Sequence, residues 1–267
     1  IVNSNLYIKK NDTNVLVSDK KDSILREISM KLRADIIDHN NFIGGRYSVL
    51  SEVGMLPAEL MGLDTMKFKK FNNLVANKKF LNSIIINVSN ILELVKRKKF
   101  NSVILSYDET ADNFLKWYQQ LVAESLGKKG NGIFPIISNM PKDNHSLMQL
   151  YLDGNKNNFY TFFYTKDRNY PKLNHDMIPG SLKFLKRKDL GDILYSKILA
   201  TKKVFQKKNI PFRSFFIKSK NEEVLGELFT YFILETILLA RALKINPYDQ
   251  PAVELIKIET KKLLKRS

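Results

Sequence analysis

Four short stretches of the sequence carry residue types able to do chemistry. Gly44-Gly45-Arg46 sets an always-charged, fork-shaped cation directly after two residues able to take unusual backbone angles. Such a turn could present Arg46 rigidly to an oxyanion; a plain glycine turn with a surface arginine has the same spelling. Glu124 lies near the end of a helical stretch that Gly127 closes. The helix dipole disfavours negative charge there, which would make the carboxylate a better proton acceptor, as a general base requires. Gln120 lies one turn earlier on the same face. Standing alone, a helical glutamate is usually just solvated. His145 follows Pro141-Lys142-Asp143-Asn144 and opens a helix, a place from which an imidazole can shuttle protons near neutrality or simply cap. Gln250 and Lys257 are spaced two turns apart on one predicted helix.

Other chemistries find no support. The chain has 3 histidines (His39, His145 and His175) and no cysteine, and none has metal-ligand spacing, so no metal and no cofactor are expected. No P-loop, no GxGxxG and no Ser/His/Asp order is present. The net charge of +17 comes from 44 Lys+Arg against 27 Asp+Glu. These cations fall in scattered pairs such as Lys20-Lys21, Lys98-Lys99 and Lys207-Lys208, so solvated lysine faces explain them better than a nucleic-acid partner. No apolar run approaches the roughly 18–20 residues that cross a bilayer, so no membrane partner is expected and the cytoplasm is the expected location.

The elements that must position these residues follow from periodicity. Residues 14–18 form a β-rich run, Ile24, Leu25, Ile28 and Leu32 take helical spacing, and Ile36-Ile37 starts another short strand. Residues 51–100 are mostly helical and close on Lys96-Arg97-Lys98-Lys99. A second alternation follows: strands at 102–107, 133–138, 159–164 and 212–218, with helices at 110–126, 143–152, 193–205 and 221–243. A last amphipathic helix runs from 248 to 264. Strand–helix–strand order predicts parallel sheets with crossover helices, and such sheets take ligands beyond the carboxyl ends of their strands.

In order along the chain, the four stretches resemble the signatures of the glucose-6-phosphate isomerase (phosphoglucose isomerase) family. Residues 41–51, containing Gly44-Gly45-Arg46-Tyr47-Ser48, look like the family's first signature. Residues 240–257, containing Tyr248-Asp249-Gln250, Val253-Glu254 and Lys257, look like its second. Between them, Glu124-Ser125-Leu126-Gly127-Lys128 resembles its base-bearing motif and Asn144-His145-Ser146 its histidine motif. One departure is Glu52, where the family pattern has a small residue.

The resemblance implies an α/β fold of two sugar-isomerase (SIS) domains, each a parallel sheet sandwiched by helices, with the first incomplete here. Residues 1–40 would be the tail of the first SIS domain, 41–101 the Gly-Gly-Arg motif and a helical connection, 102–243 the second SIS domain, and 244–267 a C-terminal helix. It also implies interconversion of glucose 6-phosphate and fructose 6-phosphate, in glycolysis and gluconeogenesis. His145, helped by Lys257, would open the sugar ring, and Glu124 would carry a proton between C2 and C1 through a cis-enediolate. Arg46 would stabilise the enediolate, while Gln120, Gln250 and Gly45 would bind substrate. The family needs no metal, and it works as a homodimer in which the histidine comes from the partner subunit. With an opening Ile1-Val2-Asn3 of strand-like residues and no counterpart of the family's Ser/Thr-rich phosphate loop, the resemblance leads to the expectation that the true start lies upstream. Loss of half a parallel sheet would then leave apolar edges and poor solubility. Two other readings compete: a non-catalytic sugar-phosphate sensor on the same fold, and an isomerase that also accepts mannose 6-phosphate.

Overall fold

The predicted alternation folds into two parallel sheets. The computed structural model describes residues 14–165, 170–174 and 178–265; the strand-like opening residues and His175 lie outside these. β1 (Val15–Asp19), α1 (Ile24–Leu32) and β2 (Asp35–His39) form the first strand–helix–strand unit, with β1 and β2 parallel and Asp19 opposite His39. Ser23 starts α1 by accepting from the Arg26 N–H, and Arg33 ends it in the left-handed region at φ 52°.

A 3-10 helix, Gly45–Leu50, then leads into α2 (Glu52–Leu60), α3 (Thr65–Phe68), α4 (Phe71–Ala76) and α5 (Lys78–Lys96). Ser51, Asp64 and Asn77 cap α2, α3 and α5 with side-chain oxygens, satisfying N–H groups that a helix start leaves without partners.

The second sheet comprises β3 (Asn101–Ser106), β4 (Phe134–Asn139), β5 (Asn158–Thr165) and β6 (Phe212–Ile217), all parallel in the order β4-β3-β5-β6. α6 (Asp112–Leu126) links β3 to β4, and α7 (Asp143–Ser146) with α8 (Met148–Asp153) links β4 to β5. α9 (Leu190–Lys207) precedes β6, and α10 (Glu222–Ala242) and α11 (Pro251–Leu264) follow it. Side chains of β5 alternate between two cores. Phe159 and Phe163 enter the cluster with α5, α6 and α10, while Tyr160, Phe162 and Tyr164 enter the cluster with α9. Burial on both faces is why the central strands read as nearly continuous apolar runs. Inside the sandwich, the Arg213 fork is bidentate to Glu235, with Nη2 donating to Oε1 at 3.0 Å, and its Nε donates to Thr161 Oγ1 at 3.0 Å. Glu235, which interrupts the apolar run of α10, is therefore buried with its counter-charge.

Three local expectations are corrected. The last helix begins at Pro251 rather than Tyr248, because proline lacks the N–H that a first-turn position leaves unused and already has a helical φ. Gln250, at φ −147° and ψ 64°, is the residue preceding that helix, so it does not share a helical face with Lys257. The predicted 143–152 helix is two short helices parted at Leu147, whose φ is −118°. Among the described residues, no helix is long and apolar enough to cross a membrane.

Candidate active site

Arg46 stands at the centre. Its side chain is buried, and each of its five N–H groups has an acceptor. Nε donates to Ser125 Oγ at 2.9 Å. Nη1 donates to Glu124 Oε2 at 3.1 Å and to Gln250 Oε1 at 2.8 Å. Nη2 donates to the carbonyls of Pro247 and Asp249. The guanidinium thus joins the end of α6 to the 247–250 turn, segments far apart in sequence.

The neighbours of Arg46 explain its fixity. Trp117 Nε1 donates to the Arg46 carbonyl at 3.0 Å, anchoring the 3-10 helix to α6. The Tyr47 hydroxyl lies 2.8 Å from Ser125 Oγ and donates to the Pro247 carbonyl at 3.2 Å. Burial pushes the Tyr47 hydroxyl up in pKa against the opposing pull of Ser125 and Arg46, so it remains a neutral donor. Lys128 ties down the same turn through the carbonyls of Asn246 and Asp249 and through Asp249 Oδ1 at 2.8 Å. That hydrogen bond and charge hold the Asp249 carboxyl below its usual range.

Glu124 is half-buried and engaged on both oxygens. Oε2 meets Arg46, Oε1 accepts from Gln120 Nε2 at 3.1 Å, and its side chain keeps 32% of its exposure. The carboxylate is therefore oriented by a cation and an amide while still open to solvent or a ligand. Its nearest charge is the Arg46 cation, an attraction acting beside the unfavourable helix end. Arg46, Glu124, Gln120 and Gln250 form one contiguous cluster.

Neither glycine before Arg46 takes a left-handed φ. Gly44 is extended, at φ −68° and ψ 155°, and feeds directly into the 3-10 helix at Gly45. The expected unusual backbone angles are absent, but a Cβ at either position would meet nothing within 4 Å, so the approach to this backbone is open.

His145 and Lys257 stand apart from the cluster. His145 is exposed on α7, beyond the carboxyl end of β4, and makes no hydrogen bond with Arg46, Glu124 or Gln250. Lys257 is exposed on α11 and pairs with Glu254 on its own helix at 2.7 Å. Three participants escaped sequence reasoning: Ser125, Tyr47 and Trp117. The signal for Ser125 was a small polar residue next to Glu124 at an inward helical position. Tyr47 and Trp117 carried none beyond their neighbourhood. Among the described residues no group of three or more His, Cys, Asp or Glu could hold a metal ion.

Residues 24–134 match the family model described as phosphoglucose isomerase. A glucose-6-phosphate isomerase of Methanocaldococcus jannaschii is 32% identical over 241 residues, which cover 86% of this chain and 58% of that relative. One from Mycoplasmopsis synoviae is 30% identical over 252 residues, covering 91% of this chain and 59% of the relative. The chain thus spans little more than half the length of these curated relatives. A hypothetical protein from Thermus thermophilus, of known structure, superposes with a TM-score of 0.82 at 24% identity, covering 94% of this chain and 62% of that one. A glucose-6-phosphate isomerase from Chlamydia trachomatis superposes with a TM-score of 0.73 at 15% identity, covering 94% of this chain and 52% of that one. Both share the fold: parallel sheets flanked by helices.

Proposed function

Because this chain belongs to the phosphoglucose isomerase family, we propose that it contributes the acid–base half of an enzyme interconverting glucose 6-phosphate and fructose 6-phosphate. The observation that carries this reading is the 3.1 Å contact of Arg46 with Glu124, bridged by the same Nη1 to Gln250. An aldose–ketose shift needs one base facing two adjacent carbons and a fixed cation beside the oxygen that gains charge. Glu124 takes the proton from C2 of the aldose, and the C1 oxygen gains charge as the cis-enediolate forms. The hydroxyl proton passes from O2 to O1, and the same carboxyl returns its proton to C1, which leaves the C2 carbonyl of the ketose. Arg46 has no spare donor, so it meets the enediolate by exchanging the Gln250 or Glu124 contact for substrate oxygen. A positioned base contributes ~10²–10⁴-fold in rate, and one oxyanion donor about 3–4 kcal/mol. Gln120 and Gln250 orient hydroxyls or the phosphate, and the open face at Gly45 admits the sugar.

Ring opening falls to His145 with Lys257. Their exposure, away from Arg46, is consistent with a homodimer in which His145 serves the partner's site. In this reading 1–40 is the tail of a first SIS domain whose remainder holds the phosphate, 41–101 connects, 102–243 is the second SIS domain and 244–267 is the C-terminal helix. The enzyme works in the cytoplasm.

The test is a coupled assay of fructose 6-phosphate conversion, using the chain joined to the additional length its relatives carry, beside Glu124→Gln. The variant should lose ~10²–10⁴-fold in kcat. Its thermal midpoint should barely move, because the glutamine carboxamide oxygen can still accept from the buried Arg46 and the Glu124 position keeps 32% of its exposure. Sugar-phosphate binding with no turnover in either protein would point instead to a sensor.

A further inference from the structure

We propose that His39 and Glu52 form a clasp that positions the turn delivering Arg46, and that His39 is a positioning residue for the reaction. The catalytic consequence rests on the isomerase reading; the clasp itself does not.

The argument begins with hydrogen-bond sense. His39 ends β2 and is buried at 7% exposure. Its Nδ1 lies 2.8 Å from Glu52 Oε1, and its Nε2 lies 2.8 Å from the Ile43 carbonyl oxygen. A carboxylate and a carbonyl only accept, so the ring satisfies both only as an imidazolium donating from each nitrogen. Glu52 Oε1 also accepts from the Asn40 N–H at 3.2 Å. The loop between β2 and Gly44 is thereby tied at His39, Asn40 and Ile43 to the first residue of α2. α2 follows the 3-10 helix of Arg46 with only Ser51 between them, so both ends of the Arg46 segment are held by one ion pair.

Charge around the clasp supports the doubly protonated ring. Glu52 faces it from α2, and Asp19 acts from the end of β1. Lys20 and Asp38 line the same cavity of about 410 Å³, where Asp38 is engaged by Arg26 of α1 at 2.5 Å and by Lys20 at 3.9 Å. Burial pushes the imidazole down, but the Ile43 carbonyl and the Glu52 carboxylate outweigh it and His39 titrates above the ordinary histidine value. The backbone N–H of Glu52 itself, working against burial and joined by His39 and Asn40, holds that carboxyl below the usual range.

A small residue at position 52 would leave Nδ1 of His39 buried without an acceptor.

The signs follow from the two directions. The raised pKa of His39 makes its contribution complete below the ordinary histidine value and lost as pH rises through the folded one. The depressed pKa of Glu52 makes its contribution present above the ordinary glutamate value and lost as pH falls through the folded one. The clasp is closed between those limits; it opens on the acid side as Glu52 is protonated and on the alkaline side as His39 loses its proton.

The experiment uses the full-length enzyme with labelled histidine and arginine. NMR titration of His39, assigned by His39→Gln, is combined with exchange of the Arg46 Nε–H and with the pH profile of kcat/KM, for wild type and Glu52→Gln. Wild-type His39 should hold protons on both nitrogens at neutrality. Glu52→Gln should bring its titration down by about one pH unit or more, speed Arg46 Nε–H exchange several-fold near neutrality, and move the alkaline limb of kcat/KM toward acid by the same interval. An ordinary His39 titration untouched by Glu52→Gln, unchanged Arg46 exchange, or an equal loss of activity at every pH would overturn the proposal. Absence of turnover in wild type, with both NMR signatures present, would sink the isomerase reading and leave the clasp standing.

Discussion

Replacing Arg46 by lysine tests whether the planar fork, rather than positive charge, holds the site together. Five donors of Arg46 reach Ser125, Glu124, Gln250 and the carbonyls of Pro247 and Asp249. A lysine ammonium has three donors radiating from one point and cannot span acceptors on both α6 and the 247–250 turn. At least two acceptors lose this partner, each at about 1–3 kcal/mol when buried. Ser125 Oγ and the Pro247 carbonyl retain Tyr47 as a second partner, which puts the expected loss near the lower end, about 2–3 kcal/mol. At roughly 2–4 °C per kcal/mol for a chain of this size, the melting midpoint should fall by about 5–10 °C. Circular-dichroism melts and urea titrations of wild type, Arg46→Lys, Tyr47→Phe and the double variant provide the assay. The double variant should lose about 1 kcal/mol more than the sum of the singles, since Tyr47 backs up the acceptors that Arg46 abandons. An Arg46→Lys protein as stable as wild type within 0.5 kcal/mol, or strict additivity in the cycle, would refute the reasoning.

Two further tests address the elements that carry the site. Burial works against ionisation of Asp108, but Thr165, Lys220 and Thr110 outweigh it and keep the carboxyl below the usual carboxylate range. Its stabilisation is present above the ordinary aspartate value and lost as pH falls through the folded one, so Asp108→Asn should be less stable at neutrality and show a shallower acid limb in pH-dependent melts. Gly54→Ala would set a Cβ 2.0 Å from the Val49 carbonyl oxygen, forcing α2 away from the 3-10 helix that bears Arg46. A loss of about 1–3 kcal/mol in urea unfolding is expected, with activity falling beyond what stability explains.

The strands and the longer helices were legible because their burial is periodic. β3 and β5 bury both faces and read as apolar runs, and α10 reads as a buried helix because its side chains are apolar almost all round. Boundaries set by single residues were less so: Pro251 moved the last helix start and withdrew Gln250 from it. The residue types at the candidate site were also legible, since a cation, a carboxylate and amides are what the proposed chemistry would require. Their geometry was not. Arg46 and Glu124 are 78 residues apart, and Arg46 and Gln250 are 204 apart. His39 showed in the sequence only as one of the scattered histidines, and Glu52 only as an oddity in a motif.

By itself, the sequence determined the alternation of strands and helices, the parallel class of the sheets and the residue types gathered at the candidate site. These are local properties, written in repeats of about two and 3.6 residues and in motifs a few residues long. Only the tertiary structure decided that the five donors of Arg46 are all engaged, that Glu124 is aimed by Gln120, and that His39 is sandwiched between two acceptors. Such facts depend on how the 3-10 helix, α6 and the turn after α10 pack together to within a fraction of an ångström. Hydrogen-bond saturation changes over that distance, and no repeat along the chain encodes it.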